Sequence, residues 1–308
     1  MAGSIALLVP VFALICVVLV TVSVQPRRRR LVAIDERTYP QLADLRRTAQ
    51  GARLVSILLG LGLAVFTASL GSLGRGLMLA PIVFAAVLVV GALVGDLLSR
   101  GAARSPGSPS AGLERRRVLD YLPRGLSLAV AVATTTLAGL LFAGWATAST
   151  DDAGRAGRML ARCTADGSTC AGAGPYPGSF YAIPLLVAVA AVLMLAAVAL
   201  VVAVGRPRGA DPEVVRVDDV IRRRVAESIV AALGVGVGVA LCGVAQTMAL
   251  PLLATSLDLL VPQLAGWACL AASLAGIALA VWSVSCLIVP GATPARVDPA
   301  RPRQAEVA

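Results

Sequence analysis

The chain has 308 residues, of which 58% are hydrophobic and 14% charged, and its mean hydropathy is +0.85. Soluble domains are about 45–50% apolar and about 25% charged, so this composition argues against a soluble protein. The formal net charge of +10 comes from Arg, because the chain has neither Lys nor His. These Arg residues stand in short segments between apolar runs, which predicts orientation signals in a membrane and no nucleic-acid surface.

Continuous apolar runs of roughly 20 residues, the length that crosses about 30 Å of hydrocarbon, recur along the chain. Continuous runs favour helices over the alternating strands of a membrane barrel. The predicted fold class is all-α, a polytopic transmembrane helix bundle of about seven spans within residues 1–290, with a disordered cytoplasmic tail at 291–308. The predicted spans are 5–24, 54–70, 77–98, 126–148, 183–204, 228–250 and 266–289.

The first predicted span, 5–24, is followed at once by a basic run, Arg27, Arg28, Arg29 and Arg30. Nothing basic precedes the span, whereas a secretory signal peptide has positive charge before its apolar core. Basic segments stay in the cytoplasm, so the N-terminus is predicted to face outward. Cleavage of this segment as a signal peptide is the alternative.

The distribution of Arg predicts the orientation of the other spans. Segments 25–53, 99–125, 205–226 and 290–308 hold 8, 6, 6 and 3 Arg, whereas the segments on the other side hold four. Cytoplasmic segments are the Arg-rich ones, so the prediction is an outer N-terminus and an inner C-terminus. Besides the first basic run, the predicted anchors are Arg115, Arg116, Arg117, Arg222, Arg223 and Arg224.

Acidic residues followed by Arg clusters precede the spans at 54–70, 126–148 and 228–250. Before the last of these, Asp219 and Arg223 form an i,i+4 pair with the acid first, the favourable order on a helix. The lead-ins are therefore predicted to be helical extensions beyond the membrane. The predicted chain is one leading span followed by three helical hairpins. The similarity of the hairpins arises either from duplication or from the pattern that any hairpin with a basic lead-in has.

The predicted outer loop, residues 149–181, contains Cys163 and Cys170. An outer compartment permits oxidation, and Asp166-Gly167 is a turn signal that brings the two sulfurs together. A disulfide is predicted, with two free thiols or a metal pair as alternatives. A metal site needs more ligands than two thiols, and no His exists to supply them.

Polar residues inside the predicted spans are few, and Gln246 is the one strongly polar side chain at depth. A transport path would normally be marked by ionisable residues there, so polar packing between helices is the favoured interpretation and permeation the alternative. Gly91 and Gly95 form one GxxxG pair, and Gly234 and Gly238 form another. Such pairs let helices approach closely, within one chain or between two.

Aromatic residues flank two span ends on the predicted outer side. Trp145 lies at the end of one span, and Tyr176, Phe180 and Tyr181 lie before the next. This placement is typical of an aromatic belt at the membrane interface.

No enzyme motif is present, because the phosphate-binding loop needs Lys and the zinc-protease and triad motifs need His. The sequence therefore predicts no enzyme, no cofactor and no catalytic or metal-binding residue. The Arg-only loops, and the stretch Leu119-Asp120-Tyr121-Leu122-Pro123-Arg124, resemble uncharacterised multi-spanning membrane proteins of high-GC Gram-positive bacteria. The resemblance implies a multi-pass protein of the bacterial cytoplasmic membrane and no activity.

Three functions remain open from the sequence. The leading hypothesis is a non-enzymatic scaffold or accessory subunit of a membrane complex, whose basic lead-ins contact anionic lipid headgroups at the cytoplasmic face or a membrane-protein partner. The competing hypothesis is a permease or channel subunit for a neutral or hydrophobic solute. The third is a sensor that uses the loop at 149–181.

Overall fold

The computed structural model describes residues 40–102, 118–151, 153–155, 157–164, 167–168, 170–205, 212–255 and 259–288. Six helices in this part of the chain are long and apolar enough to cross a membrane, which confirms an all-α membrane bundle. They are α1 (Pro40–Ser69), α2 (Arg75–Ala102), α3 (Arg124–Thr147), α4 (Ser179–Val204), α5 (Pro212–Ala254) and α6 (Leu260–Ile288). The predicted span at 5–24, Arg27 to Arg30, Arg115 to Arg117 and the tail at 291–308 lie outside the described residues.

Contacts between helix termini define two ends of the bundle. At one end, which we call the hairpin end, the Tyr181 hydroxyl at the start of α4 donates to the Leu73 carbonyl, 2.8 Å away, in the turn between α1 and α2. At the other, which we call the basic end, Arg53 near the start of the apolar part of α1 donates to the Leu287 carbonyl at the end of α6. Predicted outer and inner segments therefore lie at opposite ends.

Helix α5 is the core of the bundle. Of the apolar 18-residue window within Ile221–Ala254, 83% is buried, against 11% for the corresponding window of α1. It packs most extensively against α6 and also contacts α2, α3 and α4. A helix that is apolar all round suits this central position, because none of its faces has to meet water or headgroups.

Three glycines allow the neighbours to approach α5 closely. A Cβ at Gly234 would lie 2.1 Å from the Ser283 hydroxyl oxygen on α6, and one at Gly236 would lie 2.5 Å from the Ala85 Cβ on α2. A Cβ at Gly238 would lie 2.6 Å from the backbone oxygen of Gly276. These distances are shorter than real carbon contacts, so only glycine fits, and the pair at 234 and 238 packs within the chain as predicted.

Helices α1 and α2 also approach each other closely at a glycine. A Cβ at Gly91 would lie 1.7 Å from the Ser56 hydroxyl oxygen, so the second predicted GxxxG pair also serves packing within the chain. The turn that joins the two helices passes through Gly71, Leu73 and Gly74, with φ of 89°, 68° and 80°. Leu73 thus holds a left-handed conformation that a branched side chain rarely adopts, which fixes its carbonyl toward Tyr181.

The bounds predicted around the last hairpin were wrong. The connection expected at residues 251–265 is only a few residues long, because α5 continues through Pro251 to Ala254 and α6 begins at Leu260. A proline removes its own N–H but leaves its carbonyl, and the Pro251 carbonyl accepts from the Thr255 amide. At the other end α5 begins at Pro212, so the lead-in before 228–250 is helical, as predicted.

The segment between α3 and α4 is more ordered than the loop predicted at 149–181. It forms an antiparallel hairpin of β1 (Leu160–Cys163) and β2 (Cys170–Ala173). The chain reverses with Gly167 at φ 69°, and its amide donates to the Thr164 carbonyl at 2.9 Å. Cys163 and Cys170 are register partners, and a disulfide joins them.

Hydroxyl groups within the helices are mostly bonded locally. The hydroxyls of Thr134 and Thr136 donate to carbonyls three or four residues back on α3, and Ser285 does so on α6. The proton of each of these hydroxyls is therefore used within its own helix.

Candidate functional site

An apolar groove of about 530 Å³ opens in the described part of the bundle. It lies between α1, α2 and α5 toward the hairpin end. Its walls include Ala64 of α1, Met78 and Phe84 of α2, and Val239 and Gly243 of α5. Ligand pockets in proteins have volumes of about 300–1,000 Å³, so the groove is large enough to hold a small molecule or part of a lipid.

A second cavity of about 350 Å³ adjoins the groove at the hairpin end. Leu73, Pro175 and Tyr181 line both cavities, so the two are neighbours and form an apolar part and a polar part. The polar part is lined by Asp151 and Arg158. We call the groove and this second cavity together the composite site.

An ion-pair cluster forms the polar wall of the composite site. The Asp151 carboxylate accepts from Arg158 at 2.9 Å and from Arg155 at 2.8 Å. The side chain of Arg158 is only 11% exposed, whereas that of Arg155 is 54% exposed. Within the described residues the Nε–H of Arg158 has no hydrogen-bond partner, although it is buried. An unpaired buried donor costs about 1–3 kcal/mol, so this group favours a ligand that accepts.

The Phe180 ring contacts two cations beside this ion-pair cluster. The Arg158 guanidinium lies 5.2 Å from the centre of the Phe180 ring, and the Arg75 guanidinium lies 5.4 Å from it. Both distances fall within the range of a cation–π contact. Two Arg from different segments, the start of α2 and the hairpin, are thus held near one ring beside the opening of the groove.

The hydrogen bonds of Asp151 lower its pKa. Desolvation raises the pKa of Asp151, but donation from the Arg155 amide and side chain and from the Ala153 amide outweighs it, so the pKa lies below its ordinary value. A carboxylate with a lowered folded-state pKa stabilises the fold above its unfolded pKa of about 3.9. That stabilisation is lost as the pH falls through the lower, folded-state pKa.

We expect Asp151→Asn to loosen the start of the hairpin, because an amide cannot replace the charge-assisted bonds to Arg155 and Arg158. Amide-exchange protection should fall at Ala153 and Arg155, whose N–H groups donate to this carboxylate. In the unsubstituted protein the same loss should begin only below about pH 4. Asp120→Asn, an exposed carboxyl at the basic end, is the matched control, and equal loss of protection in both variants would contradict this role.

Two aromatic residues predicted for an interface belt are instead buried. Tyr176 is 1% exposed and Tyr181 is 2% exposed, while Trp145 stays 48% exposed. The Tyr176 hydroxyl lies 2.8 Å from the Thr147 hydroxyl, and burial raises the pKa of Tyr176. These tyrosines fasten the hairpin segment and α4 to the neighbouring helices, because each hydroxyl finds a partner when its ring is buried.

Arginine at the basic end does more than anchor the chain. Arg222 was predicted to lie at the membrane surface, but it is 1% exposed and donates to the Val204 carbonyl at the end of α4. Arg53 donates in the same way to the Leu287 carbonyl at 2.9 Å, near the end of α6. The last carbonyls of a helix lack helical partners and favour cations, so both Arg cap helix C-termini.

A side-chain hydrogen bond also joins the segment before α3 to the lead-in of α5. The Tyr121 hydroxyl donates to the Asp219 carboxylate at 3.1 Å. Arg223 is exposed, although it follows the buried Arg222 directly. The three Arg predicted as equal anchors at 222–224 therefore have different surroundings.

The remaining predicted site residues do not meet at one place. Gln246 is partly buried on α5 and lines neither cavity. Among the residues the structure describes, no three His, Cys, Asp or Glu side chains lie close enough to hold a metal. Cys242, Cys269 and Cys286 lie within the helices and form no disulfide.

Sequence reasoning missed the composite site, although one signal pointed to it. Arg75 and Arg158 belong to the four Arg on the side of the chain that is otherwise poor in Arg. A cation that departs from the orientation pattern needs a local reason, and here that reason is the cluster around Phe180.

Comparison with known proteins adds no family to these observations. No protein-family model matches this chain, and comparisons with curated proteins and with solved structures give no significant match.

Proposed function

We propose that this chain is a non-enzymatic scaffold or accessory subunit of a complex in the bacterial cytoplasmic membrane. The observation that carries the proposal is the enclosure of α5, which is buried by its neighbours along most of its apolar length. Close glycine contacts fill the space beside it, and the serine and threonine hydroxyls nearby are mostly bonded within helices. A tightly packed centre supports a structural role better than conduction of a polar solute.

The exposed face of α1 supports a partner for such a subunit. Leu54, Leu58, Leu61 and Val65 recur at helical spacing and are 63%, 71%, 50% and 70% exposed. They form one apolar stripe on the helix that the described bundle covers least. Helices in membranes associate through such faces by close packing, so α1 is the surface on which we place the partner.

A photo-crosslinking side chain at Leu58 tests this proposal in native membranes. We expect a discrete adduct between this chain and another protein, because the stripe would be covered by a partner helix. Met194 on α4 is 67% exposed and is the matched control, where we expect lipid adducts alone. Lipid adducts alone at Leu58, or a crosslink confined to the same chain, would contradict a partner on this face.

A permease for a hydrophobic solute is the second candidate, because the apolar groove is large enough to admit one. The two candidates differ in what the purified protein does alone. Reconstituted liposomes should show no protein-dependent flux of a small apolar solute if the protein is a scaffold. Protein-dependent flux that Gly243→Phe abolishes would favour the permease, since Gly243 lines the groove.

We also propose seven spans, with the N-terminus outside and the C-terminus inside. The grouping of Arg53 and Arg222 at one end of the bundle and the smaller number of Arg at the hairpin end support this orientation. The disulfide at the hairpin end is also in keeping with an oxidising compartment there.

Thiol labelling of intact cells checks this orientation. Cysteine in place of Ala153, an exposed residue at the hairpin end, should react with a membrane-impermeant reagent. Cysteine in place of Val32, just after the basic run, should react only after the cells are opened. The unsubstituted protein gives the background from its own thiols, and labelling at 32 in intact cells would overturn the proposed orientation.

A further inference from the structure

Any recess at the lipid-facing surface of a membrane protein is filled by hydrocarbon, so the apolar groove alone would identify no ligand. What distinguishes this groove is the neighbouring cavity walled by Arg158 and Asp151, which shares Leu73, Pro175 and Tyr181 with it. A molecule that fills both parts must have an apolar portion and a polar portion in that order. This arrangement matches the amphiphiles of the bilayer itself.

We propose that the composite site binds one anionic phospholipid from the leaflet at the hairpin end, with an acyl chain in the groove and the phosphate beside Arg158 and Arg75. The inference goes beyond the scaffold proposal and does not depend on it, because a scaffold and a permease would both carry such a lipid.

The donors around Phe180 support a phosphate in the polar part. Asp151 occupies one terminal nitrogen of Arg158 and leaves the buried Nε–H of that side chain without an acceptor among the described residues. A guanidinium offers five N–H donors in a planar fork that fits phosphate oxygens, so a single carboxylate does not saturate it. Arg75 lies against the same ring and adds a second cation.

The local charge balance favours an anion over a neutral headgroup. The described side chains that meet at Phe180 and Asp151 are Arg75, Arg155 and Arg158 on one side and the single Asp151 carboxylate on the other. Because this cluster lies at one end of the apolar spans, at headgroup depth, the charges are partly desolvated and their attraction to phosphate is strengthened.

The walls of the groove support a hydrocarbon chain. They are formed by Ala, Leu, Met, Pro, Phe, Val and Gly, with Thr247 and Tyr181 as the polar exceptions. The Thr247 hydroxyl already donates to carbonyls of its own helix, and the Tyr181 hydroxyl donates to the Leu73 carbonyl. Among the described side chains of the apolar part, no hydrogen-bond donor is therefore left for a polar solute. Methylene groups form no hydrogen bonds and so lose none on entering it.

Binding of defined lipids to the purified, delipidated full chain tests the proposal by native mass spectrometry. Phosphatidylglycerol, phosphatidylcholine and a neutral diacylglycerol with the same acyl chains are compared at equal concentrations. We expect one tightly bound phosphatidylglycerol, held roughly tenfold more tightly than phosphatidylcholine, because both carry the phosphate but the Arg cluster repels the choline cation. Diacylglycerol, which has no phosphate, should bind most weakly. Equal affinity for all three lipids would overturn the headgroup assignment.

Gly243→Phe tests the groove without disturbing the helices. A Cβ at Gly243 meets nothing within 4 Å, so the ring would occupy the groove instead of clashing with protein atoms. We expect this variant to lose binding of both phospholipids by at least about tenfold. Gly139→Phe is the matched control, because Gly139 is also open and exposed but lies on α3 away from the groove. Unchanged binding in Gly243→Phe would overturn the groove assignment.

Arg158→Gln tests the headgroup contact, and Arg155→Gln is its control. Both residues bond Asp151, but only Arg158 lines the cavity. We expect Arg158→Gln to weaken binding of both phospholipids, because both carry the phosphate, and to leave binding of diacylglycerol the same, whereas Arg155→Gln should retain the affinity for both phospholipids. Equal loss in both variants would indicate nonspecific attraction and contradict the proposal.

Arg75→Gln keeps the headgroup test decisive if Arg158→Gln does not fold. Arg75 is exposed and takes no part in the ion pairs of Asp151, so its removal leaves the hairpin intact. The affinity for both phospholipids should fall at least about threefold, a smaller loss than at Arg158 because Arg75 retains more solvent. An unchanged affinity in Arg75→Gln would remove Arg75 from the site and, where Arg158→Gln does not fold, would overturn the proposal.

Discussion

Replacing Gly238 by leucine should destabilise the bundle more than any other single substitution considered for this chain, by about 3 kcal/mol or more. The added Cβ would lie 2.6 Å from the backbone oxygen of Gly276 and 2.9 Å from the backbone nitrogen of Ala280. Neither atom belongs to a flexible side chain, so α6 itself would have to move away from α5. The midpoint of thermal unfolding in detergent should fall accordingly.

Gly139→Leu is the matched control for this substitution. Gly139 is also within a helix, α3, but a Cβ there meets nothing within 4 Å. The control should retain the unfolding midpoint of the parent, because the new side chain extends into lipid. An unfolding midpoint in Gly238→Leu equal to that of the control would show that α5 and α6 do not approach each other at this point.

Arg222→Met should produce the second large effect. Arg222 is 1% exposed and donates to the Val204 carbonyl, so its loss leaves a helix C-terminus without its cap. A buried acceptor left without its donor costs about 1–3 kcal/mol. Arg222→Lys should recover part of the loss, since an ammonium keeps the charge but lacks the planar fork.

Arg223 supplies the control, because it is the next residue of the same helix and is exposed. Arg223→Gln should change the free energy of unfolding by less than about 0.5 kcal/mol. Equal effects at both positions would return Arg222 to the role of a surface anchor. Amide exchange at the end of α4 gives a local measurement, since protection should fall there in Arg222→Met alone.

The helices could be predicted from the sequence because an apolar run of about 20 residues has few alternatives in a chain this hydrophobic. Six of the predicted spans overlap helices, and four of them match the apolar part of the helix to within four residues at both ends. The GxxxG pairs at 91 and 234 both mark close contacts between helices. The predicted span ended just before Pro251. The helix instead continues for one more turn, in which the Pro251 carbonyl accepts a backbone hydrogen bond. The local sequence pattern therefore predicts which helices form better than it predicts where each helix ends.

The composite site and the buried Arg222 could not be predicted, since both depend on contacts between distant parts of the chain. Arg158 and Arg75 are 83 positions apart, and only the folded chain places both beside Phe180. Arg222 and Arg223 are indistinguishable by composition and spacing. Their difference lies in which side of α5 meets the end of α4.

The central place of α5 has a consequence for biosynthesis. Ribosomes deliver this helix after α1 to α4, so the first four helices enter the bilayer before the element around which they pack has been made. Until it arrives, α3 in particular lacks the neighbour that it contacts most. In a nascent chain arrested near residue 205, the faces of α2, α3 and α4 that contact α5 would thus be uncovered, and they are covered only when the α5–α6 hairpin is complete.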